Sequence, residues 1–356
     1  MSLTCGIIGL PNVGKSTIFN ALTSSSVPAE NYPFCTIEPH IGIVPLPDKR
    51  LEVLGDIYNP QKITPATVEF TDIAGLVKGA SLGEGLGNQF LAQIRQVDAI
   101  VHVVRCFEDE NVAHVENSID PLRDVELIET ELLLADLNTI DKNLLRTEKL
   151  SKSDNAAVLK LEFIKKLKAF CDGGGAARNY KCTDEELKFL DELFLLTSKP
   201  IMYVANINED ELISGKNSKH SDILLSTIDK NIGQAMKLCG KVEHEISLLD
   251  TVEQSEFLSE YNLSEPGLNH LIKKAFALLK LETYFTGGEK EVRAWTIKKG
   301  SSAPKAASVI HTDFEKGFIK AEIVKYADLV KMGSEKLAKD SGLAKLEGKE
   351  YIVQDG

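Results

Sequence analysis

The segment Gly9-Leu-Pro-Asn-Val-Gly-Lys-Ser16 matches the whole G-x-x-x-x-G-K-[ST] pattern of phosphate-binding loops. It follows an apolar run, Leu3–Gly9, that predicts a strand, and it leads into a helical pattern at Lys15–Ser24. Glycines let backbone N–H groups turn inward around phosphates, and the helix N-terminus adds a positive end. We therefore expect Lys15 to contact the β- and γ-phosphates of a nucleotide and Ser16 to bind Mg²⁺. The residues expected to touch the nucleotide here are Asn12, Val13, Gly14, Lys15, Ser16 and Thr17.

A second motif, Asp72-Ile-Ala-Gly75, ends the apolar run Ala66–Asp72 and resembles the D-x-x-G of GTPase-class P-loop proteins. In that motif the aspartate holds Mg²⁺ through a water, and the glycine N–H senses the γ-phosphate. Asp72 and Gly75 are therefore candidates for these two roles. Thr36 lies between the two motifs and is the candidate for a switch threonine that completes the Mg²⁺ shell. The alternative for Thr36 is an ordinary loop threonine.

The residue after Gly75 is Leu76, where Ras-like enzymes have a glutamine that orients the attacking water. A leucine side chain cannot hydrogen-bond water. Hydrolysis would then need another residue, a bound ion or a partner, so the sequence predicts slow intrinsic turnover.

The base-reading motif N-K-x-D of GTPases is altered here to Asn206-x-x-Glu209, with Ile207 in place of the lysine. Adenine lacks the N1–H donor that the aspartate reads, and a longer glutamate moves the carboxylate. Guanine selectivity should therefore be weakened or lost. Cys239-Gly-Lys241 follows the next strand pattern and is the candidate for the last base-contact loop, with Cys239 as the contact. Ser151-Lys-Ser-Asp154 lies between two helical patterns, so we do not assign it to the base.

The elements around these motifs predict an α/β protein. The first 120 residues alternate short apolar runs with helical patterns, which favours a mostly parallel sheet covered by helices. Helical spacing then continues to a stop at Gly173–Gly175, and Thr183-Asp-Glu-Glu186 is a capping box that opens a third helix. Strand patterns return at Pro200–Asn206, so the helical block reads as an antiparallel hairpin inserted into the sheet domain. A closing helix is predicted over Ser264–Leu279, with Ser264 as its N-cap.

From Thr283 onward the pattern predicts a compact α+β unit, with its last strand at Glu350–Val353. The predicted organisation is a discontinuous P-loop domain over residues 1–125 and 198–280, a helical insertion over 126–197, and a C-terminal domain over 281–356.

Composition limits the function classes. The net charge of -12 excludes a chain that coats nucleic acid through its overall field, although residues 281–356 carry 13 basic and 12 acidic residues and so a charge of +1. No apolar stretch approaches the ~18–20 residues of a membrane span, and the N-terminus has no signal-peptide pattern. The 6 cysteines form no C-x-x-C pair, which favours reduced thiols. We expect a cytoplasmic, monomeric protein without membrane association.

Together these motifs resemble the YchF / Obg-like ATPase family of translation-factor-class P-loop proteins. The likeness runs from residue 2 to the end of the chain. The segments that carry it are Gly9–Thr17, Tyr32–Pro39, Asp72–Ala80, Gly83–Asn88, Asn206–Glu209, Arg293–Ile297 and His311–Phe318.

The resemblance implies a G domain, a coiled-coil insertion and a C-terminal TGS (ubiquitin-like) domain. It implies hydrolysis of ATP, preferred over GTP or tolerated beside it, and association with the ribosome. In such proteins a histidine on a mobile segment has been proposed to replace the missing glutamine, and the matching residue is His114, for which an ordinary loop histidine is the alternative. His102, inside an apolar strand pattern, is expected to be a core residue. The family also implies redox-sensitive cysteines, with Cys35 the first to test, and a strand beyond Gly356, so the C-terminal sheet is expected to be one strand short.

Three hypotheses follow. The first is a Mg²⁺-dependent ATPase switch that acts on the ribosome or a ribosomal subunit; a cleft between the helical insertion and the TGS domain is suggested as a site that could hold RNA or protein. The second is a GTP-specific, ribosome-associated GTPase. The third is a nucleotide-sensing scaffold in which hydrolysis is incidental.

Overall fold

The computed structural model describes residues 3–24, 40–74, 86–110, 112, 118–152, 154–231 and 234–356. A six-stranded sheet has the strand order β2-β4-β1-β5-β6-β7. Its strands are β1 (Thr4–Ile8), β2 (Ile41–Pro45), β4 (Thr67–Asp72), β5 (Ala99–Arg105), β6 (Ile201–Asn206) and β7 (Gln234–Leu238). The pairings of β1 with β4 and β5, of β5 with β6, and of β6 with β7 are all parallel.

The two central strands β5 and β6 are buried along their whole length, as expected for a parallel sheet with helices on both faces. The chain returns to β6 directly beside β5 after the helical block, which confirms that the block is an insertion. The helices in this part of the chain are α1 (Lys15–Ser24), α3 (Leu86–Gln96), α4 (Pro121–Leu150), α5 (Asn155–Asp172), α6 (Asp184–Glu192), α7 (Glu209–Ser214), α8 (Lys219–Asn231), α9 (Gly240–Ser247), α10 (Thr251–Glu260) and α11 (Gly267–Leu278).

The helical insertion has its own core. Ile140 of α4 packs with Phe163, Ile164 and Leu167 of α5, and all four side chains are buried. Asp136 of α4 is buried and accepts hydrogen bonds at 2.7 Å from the backbone N–H groups of Leu196 and Thr197. The predicted capping box at the start of α6 is confirmed, with Thr183 as N-cap and Glu186 as its reciprocal partner. The insertion is thus a packed hairpin whose first helix is bonded to the segment that re-enters the sheet.

A second group of elements surrounds a three-stranded sheet of order β3-β9-β8. Its strands are β3 (Lys62–Thr64), β8 (Leu281–Thr286) and β9 (Glu291–Lys298), and a separate pair is formed by β10 (Ala321–Ile323) and β11 (Lys345–Glu347). The helices are α2 (Lys49–Tyr58), α12 (Ala303–Ile310), α13 (Thr312–Lys316), α14 (Tyr326–Met332) and α15 (Glu335–Asp340). Thr64 Oγ1 donates to Glu291 Oε1 at 2.5 Å, beside the parallel pairing of β3 with β9.

Contacts divide the chain into two units, Met1–Gly42 with Glu69–Leu268, and Ile43–Val68 with Asn269–Gly356. The second unit therefore includes α2 and β3, which precede most of the first unit in sequence. Within the described ranges, no helix is both long and apolar enough to cross a membrane.

Two predictions about elements are wrong. Residues 350–353 form no strand, because Ile352 makes only an isolated bridge with Ser302, and the last strand is β11. The closing helix α11 begins at Gly267 rather than after Ser264. The buried carboxylate of Glu243 accepts from the N–H groups of Gly267 at 2.9 Å and Leu268 at 3.2 Å, so a side chain of another helix binds the start of α11.

Candidate functional site

The loop between β1 and α1 has the conformation that its glycines predicted. Asn12 and Gly14 have positive φ angles of 63° and 89°. A Cβ on Gly9 would lie 2.6 Å from the carbonyl oxygen of Val103, and one on Gly14 would lie 2.2 Å from Asn206 Nδ2. Gly14 therefore meets both the conformational and the steric requirement for glycine. The loop ends at Lys15, the first residue of α1, so it lies at a helix N-terminus.

Asp72 lies at the end of β4, and its carboxylate reaches both polar residues at the start of α1. Lys15 Nζ donates to Asp72 Oδ1 at 2.6 Å, and Ser16 Oγ donates to Asp72 Oδ2 at 3.4 Å. The side chains of Lys15 and Asp72 are only 11% and 12% exposed. Parallel pairing of β1 with β4 explains this meeting, because the carboxyl ends of parallel strands share one edge of the sheet.

These residues fit a Mg²⁺ ion. A hydroxyl and a carboxylate side by side at a helix N-terminus are hard oxygen ligands, and Mg²⁺ is usually held by one or two such groups together with water and phosphate oxygens. In the described part of the chain, no group of three or more His, Cys, Asp or Glu residues could hold a metal by itself.

The predicted base-reading asparagine also fastens the phosphate loop. Asn206, at the end of β6, donates from Nδ2 to the carbonyl oxygen of Val13 at 2.8 Å, and its Oδ1 accepts from the Gly240 N–H at 2.9 Å. Its side chain is buried. Asn206 thus joins the phosphate loop to the start of α9, next to Cys239. Three separate motifs of the sequence meet at this one amide.

Ile207 and Cys239 are both 2% exposed. The Ile207 N–H donates to the carbonyl oxygen of Leu238 at 2.9 Å, which keeps the ends of β6 and β7 together. Burial raises the pKa of the Cys239 thiol, although backbone N–H groups at the start of α9 oppose this. The Cys239 thiol is therefore buried and neutral immediately before α9, and its predicted contact with the base stays a prediction.

Glu209 is the first residue of α7, and both oxygens of its carboxylate accept hydrogen bonds within the chain. Oε1 accepts from the hydroxyl of Tyr261, and Oε2 lies 3.2 Å from Lys241 Nζ. The bond from Tyr261 and then the one from Lys241 lower the pKa of Glu209. The same bond raises the pKa of Tyr261 to about 12. Glu209 is therefore a carboxylate at neutral pH, and its partners are a phenol and an ammonium group.

Two residues near the site, Tyr261 and Arg105, were not found from the sequence. Tyr261 lies 52 positions after Glu209, and no local pattern connects them. Arg105, at the end of β5, is 2% exposed and donates to the carbonyl oxygens of Phe107 at 3.1 Å, Asp109 at 3.2 Å and Val112 at 3.0 Å. A charged residue at the carboxyl end of a buried strand was the one available signal for Arg105. It fixes the backbone of the segment that follows β5.

Several predicted residues lie outside the described ranges. They are Cys35, Thr36, Gly75, Leu76 and His114. His102 is described, and it is a core residue as expected, 1% exposed, with its pKa lowered by burial to about 4.

Family models match two parts of this chain. A family model described as "50S ribosome-binding GTPase" matches residues 4–158. A model named for the C-terminal region of YchF GTPases, described as a protein of unknown function, matches residues 281–356.

Curated relatives cover the whole chain. The ribosome-binding ATPase YchF of Bacillus subtilis is 51% identical over 100% of this chain and 98% of its own length. The protein of the same name from Escherichia coli O157:H7 is 49% identical over the same shares. The solved structure of the Schizosaccharomyces pombe YchF GTPase superposes with a TM-score of 0.91 at 38% identity, covering 100% of this chain and 96% of that one. With a phosphate loop, a paired Asp72 and full-length relatives of this similarity, the chain belongs to the YchF family of P-loop NTPases.

Proposed function

We propose that this chain binds ATP with Mg²⁺ and hydrolyses it slowly, as a regulatory switch that acts on the ribosome. The observation that carries the proposal is the carboxylate of Asp72, which contacts Lys15 at 2.6 Å and Ser16 at 3.4 Å. A cation for phosphate, a hydroxyl and a carboxylate thereby share one helix N-terminus. This is the set of groups that phosphoryl transfer requires for positioning and charge neutralisation.

The chain's own residues suggest the order of events. Lys15 is paired with Asp72 in this structure, so phosphate binding requires the ammonium group to turn from the carboxylate to the phosphate oxygens. Asp72 and Ser16 are then available to hold Mg²⁺, which supplies positive charge to the phosphate oxygens when bound. We assign Thr36 to the same metal shell and the Gly75 N–H to the γ-phosphate. Because Leu76 cannot orient water, turnover is slow, and we assign its acceleration to His114 or to a partner.

Two observations favour ATP over GTP as the substrate. The curated relatives are named ATPases. Glu209 stands where guanine-specific proteins have an aspartate, and its oxygens already accept from Tyr261 and Lys241. Because each oxygen already accepts one bond, the donors of guanine must compete for this carboxylate, which weakens selectivity for guanine.

Association with the ribosome is supported by the relatives' names and by one basic segment within the helical insertion. Residues 142–168 contain 8 Lys and Arg against 3 Asp and Glu, a charge of +5 in a chain of -12. Exposed cations in this segment are Lys142, Arg146, Lys149, Lys152, Lys165 and Lys166. Such a surface favours the phosphate groups of RNA. The RNA-binding cleft that the sequence suggested stays a prediction.

We retain the three-part organisation as part of this proposal: a G domain within 1–125 and 198–280, a coiled-coil insertion over 126–197, and a TGS domain over 281–356. Residues 43–68, predicted within the G domain, are the exception, because their contacts group them with the C-terminal unit. The family model that matches residues 281–356 supports the last boundary. We also propose that the protein is cytoplasmic and monomeric.

The test is equilibrium binding of non-hydrolysable ATP and GTP analogues, with Mg²⁺ and with a chelator, followed by turnover of both nucleotides. Parent protein should bind ATP at least as tightly as GTP and lose affinity for both with the chelator. Lys15→Ala should lose binding by about a hundredfold or more, or ~3 kcal/mol, whereas Lys216→Ala, at an exposed lysine, should match the parent.

The rival hypotheses give other results. A GTP preference of about a hundredfold would overturn the ATP assignment and support a GTP-specific enzyme. Ribosome binding that depends on ATP, together with no turnover above the uncatalysed rate, would instead support a sensing scaffold.

A further inference from the structure

The main chain fixes where Glu209 begins. Glu209 is the third residue after the end of β6 and the first residue of α7. Asn208 caps this helix by accepting from the Glu211 N–H at 2.9 Å. Asn206, three positions earlier, is bonded to the phosphate loop and to Gly240. The backbone of Glu209 is therefore only three residues from a side chain that is bonded to the phosphate loop. The direction of the carboxylate then depends on the side-chain conformation of Glu209.

Two residues from separate elements donate hydrogen bonds to the Glu209 carboxylate. Lys241 is the second residue of α9, and Tyr261 follows the end of α10. The Tyr261 ring stacks on Phe257 with centroids 4.5 Å apart and planes 11° apart, which holds its hydroxyl in one direction. One Glu209 oxygen accepts from each partner. The bond from the Tyr261 hydroxyl to the ionised carboxylate is the stronger of the two, because the Lys241 side chain is 71% exposed and solvent screens its ion pair.

We propose that Tyr261 and Lys241 are positioning residues that determine nucleotide selectivity, because they hold the Glu209 carboxylate as an internal acceptor and withhold it from guanine. A guanine base offers an N1–H and an amino group to a carboxylate. To use them here it must compete with the phenol and the ammonium group, which already bind one to each oxygen and fix the direction of the carboxylate. An adenine base offers no such pair to the carboxylate, so it binds without disturbing these contacts. The inference rests on the proposed function, since it explains how that same site accepts ATP.

The substitution that tests this is Tyr261→Phe, which keeps the ring on Phe257 and removes only the hydroxyl. Lys241→Met removes the ammonium group and keeps most of the side-chain stem. Each variant should bind the GTP analogue more tightly, and the double variant by about tenfold or more, while ATP affinity stays within about threefold of the parent. Adding Glu209→Gln to the double variant should remove the gain, because the released acceptor is then no longer a carboxylate.

Tyr284→Phe is the matched control, since it removes a hydroxyl that donates to the Ala306 carbonyl oxygen at 3.0 Å in the other unit. It should leave the ratio of ATP to GTP affinity unchanged. Thermal unfolding of each variant separates loss of folding from change of selectivity. A purely structural role would lower both affinities together, and that result would overturn the proposal.

Failure of this inference differs from failure of the proposed function. If the parent prefers ATP and the double variant has an unchanged ratio, the positioning role is overturned and the ATPase proposal stands. If the parent itself prefers GTP by about a hundredfold, both are overturned.

Discussion

Asn206 and Val13 are joined by a hydrogen bond of 2.8 Å from the side-chain amide of one to the main-chain oxygen of the other. The bond links the end of β6 to the phosphate loop across 193 positions of sequence. The oxygen of the same amide accepts from the Gly240 N–H. One side chain is therefore bonded both to the phosphate loop and to the start of α9. A substitution in either of these two segments should therefore affect the position of the other.

Asn206→Ala should weaken the binding of ATP and GTP analogues alike, by about tenfold or more, because the phosphate loop loses its attachment. The free energy of unfolding should fall by about 1–3 kcal/mol, since the Gly240 N–H and the Val13 oxygen lose their partner. Urea unfolding and analogue titration measure both. Asn138→Ala, at an exposed asparagine of α4, should change stability by less than about 0.5 kcal/mol. Equal behaviour of the two variants would contradict the fastening role.

Gly14→Ala should abolish nucleotide binding. The new Cβ would meet Asn206 Nδ2 at 2.2 Å in a backbone with φ of 89°. Gly215 provides a control, because its φ of 65° is also positive but nothing lies within 4 Å of its Cβ position. Gly215→Ala should therefore cost only the conformational strain, about 1–2 kcal/mol, and leave analogue affinity unchanged. If both variants bind alike, the steric argument for Gly14 is wrong.

His102 should make stability depend on pH below neutrality. Burial lowers its pKa from an ordinary value near 6.5 to about 4, while the charge of Glu129 raises it and that of Arg178 lowers it to smaller extents. Between these two values the unfolded chain takes up a proton that the folded chain refuses. Stability is thus fully present above about pH 6.5 and falls by about 1.4 kcal/mol per pH unit toward pH 4.

His102→Asn removes this group, and urea unfolding at several pH values should show a shallower loss of stability in acid than in the parent. Val104→Ala, at a buried residue of the same strand without a titratable group, should lower stability at every pH and keep the parent slope. A parent slope that survives in His102→Asn would assign the acid sensitivity to other groups.

The basic side chains near the end of α4, in the helical insertion, should contact RNA phosphates through their charge. The variant with Lys142→Glu, Arg146→Glu and Lys149→Glu should bind ribosomes and a short RNA duplex at least about tenfold more weakly than the parent, with a smaller dependence on salt. A variant with the same charge change at the exposed lysines Lys181, Lys188 and Lys216 is the control. Both should retain parent ATP affinity. Equal losses in the two variants would show an effect of total charge rather than of this surface.

Local patterns were sufficient for elements whose determinants are close in sequence. The phosphate loop, α1 and the capping box of α6 depend on residues within one turn of each other, and the structure confirms all three. The end of the chain shows where this fails. Residues 350–353 have the composition of a strand, but only Ile352 finds a pairing partner, so no strand forms there. Strand formation needs a neighbour, which a local pattern does not specify.

The sequence by itself determined the P-loop, the inserted hairpin and the residue types that could contact phosphate, metal and base, because each is written in short spacings with a direct physical meaning. Only the tertiary structure decided what those residues do to one another. It joined α2 and β3 to the C-terminal unit, brought Asp72 to Lys15, and gave the Glu209 carboxylate to Tyr261 and Lys241. The reason is that hydrogen-bond partners are chosen by distance in space. The packing of a parallel sheet and its helices sets that distance, and it is independent of separation along the chain.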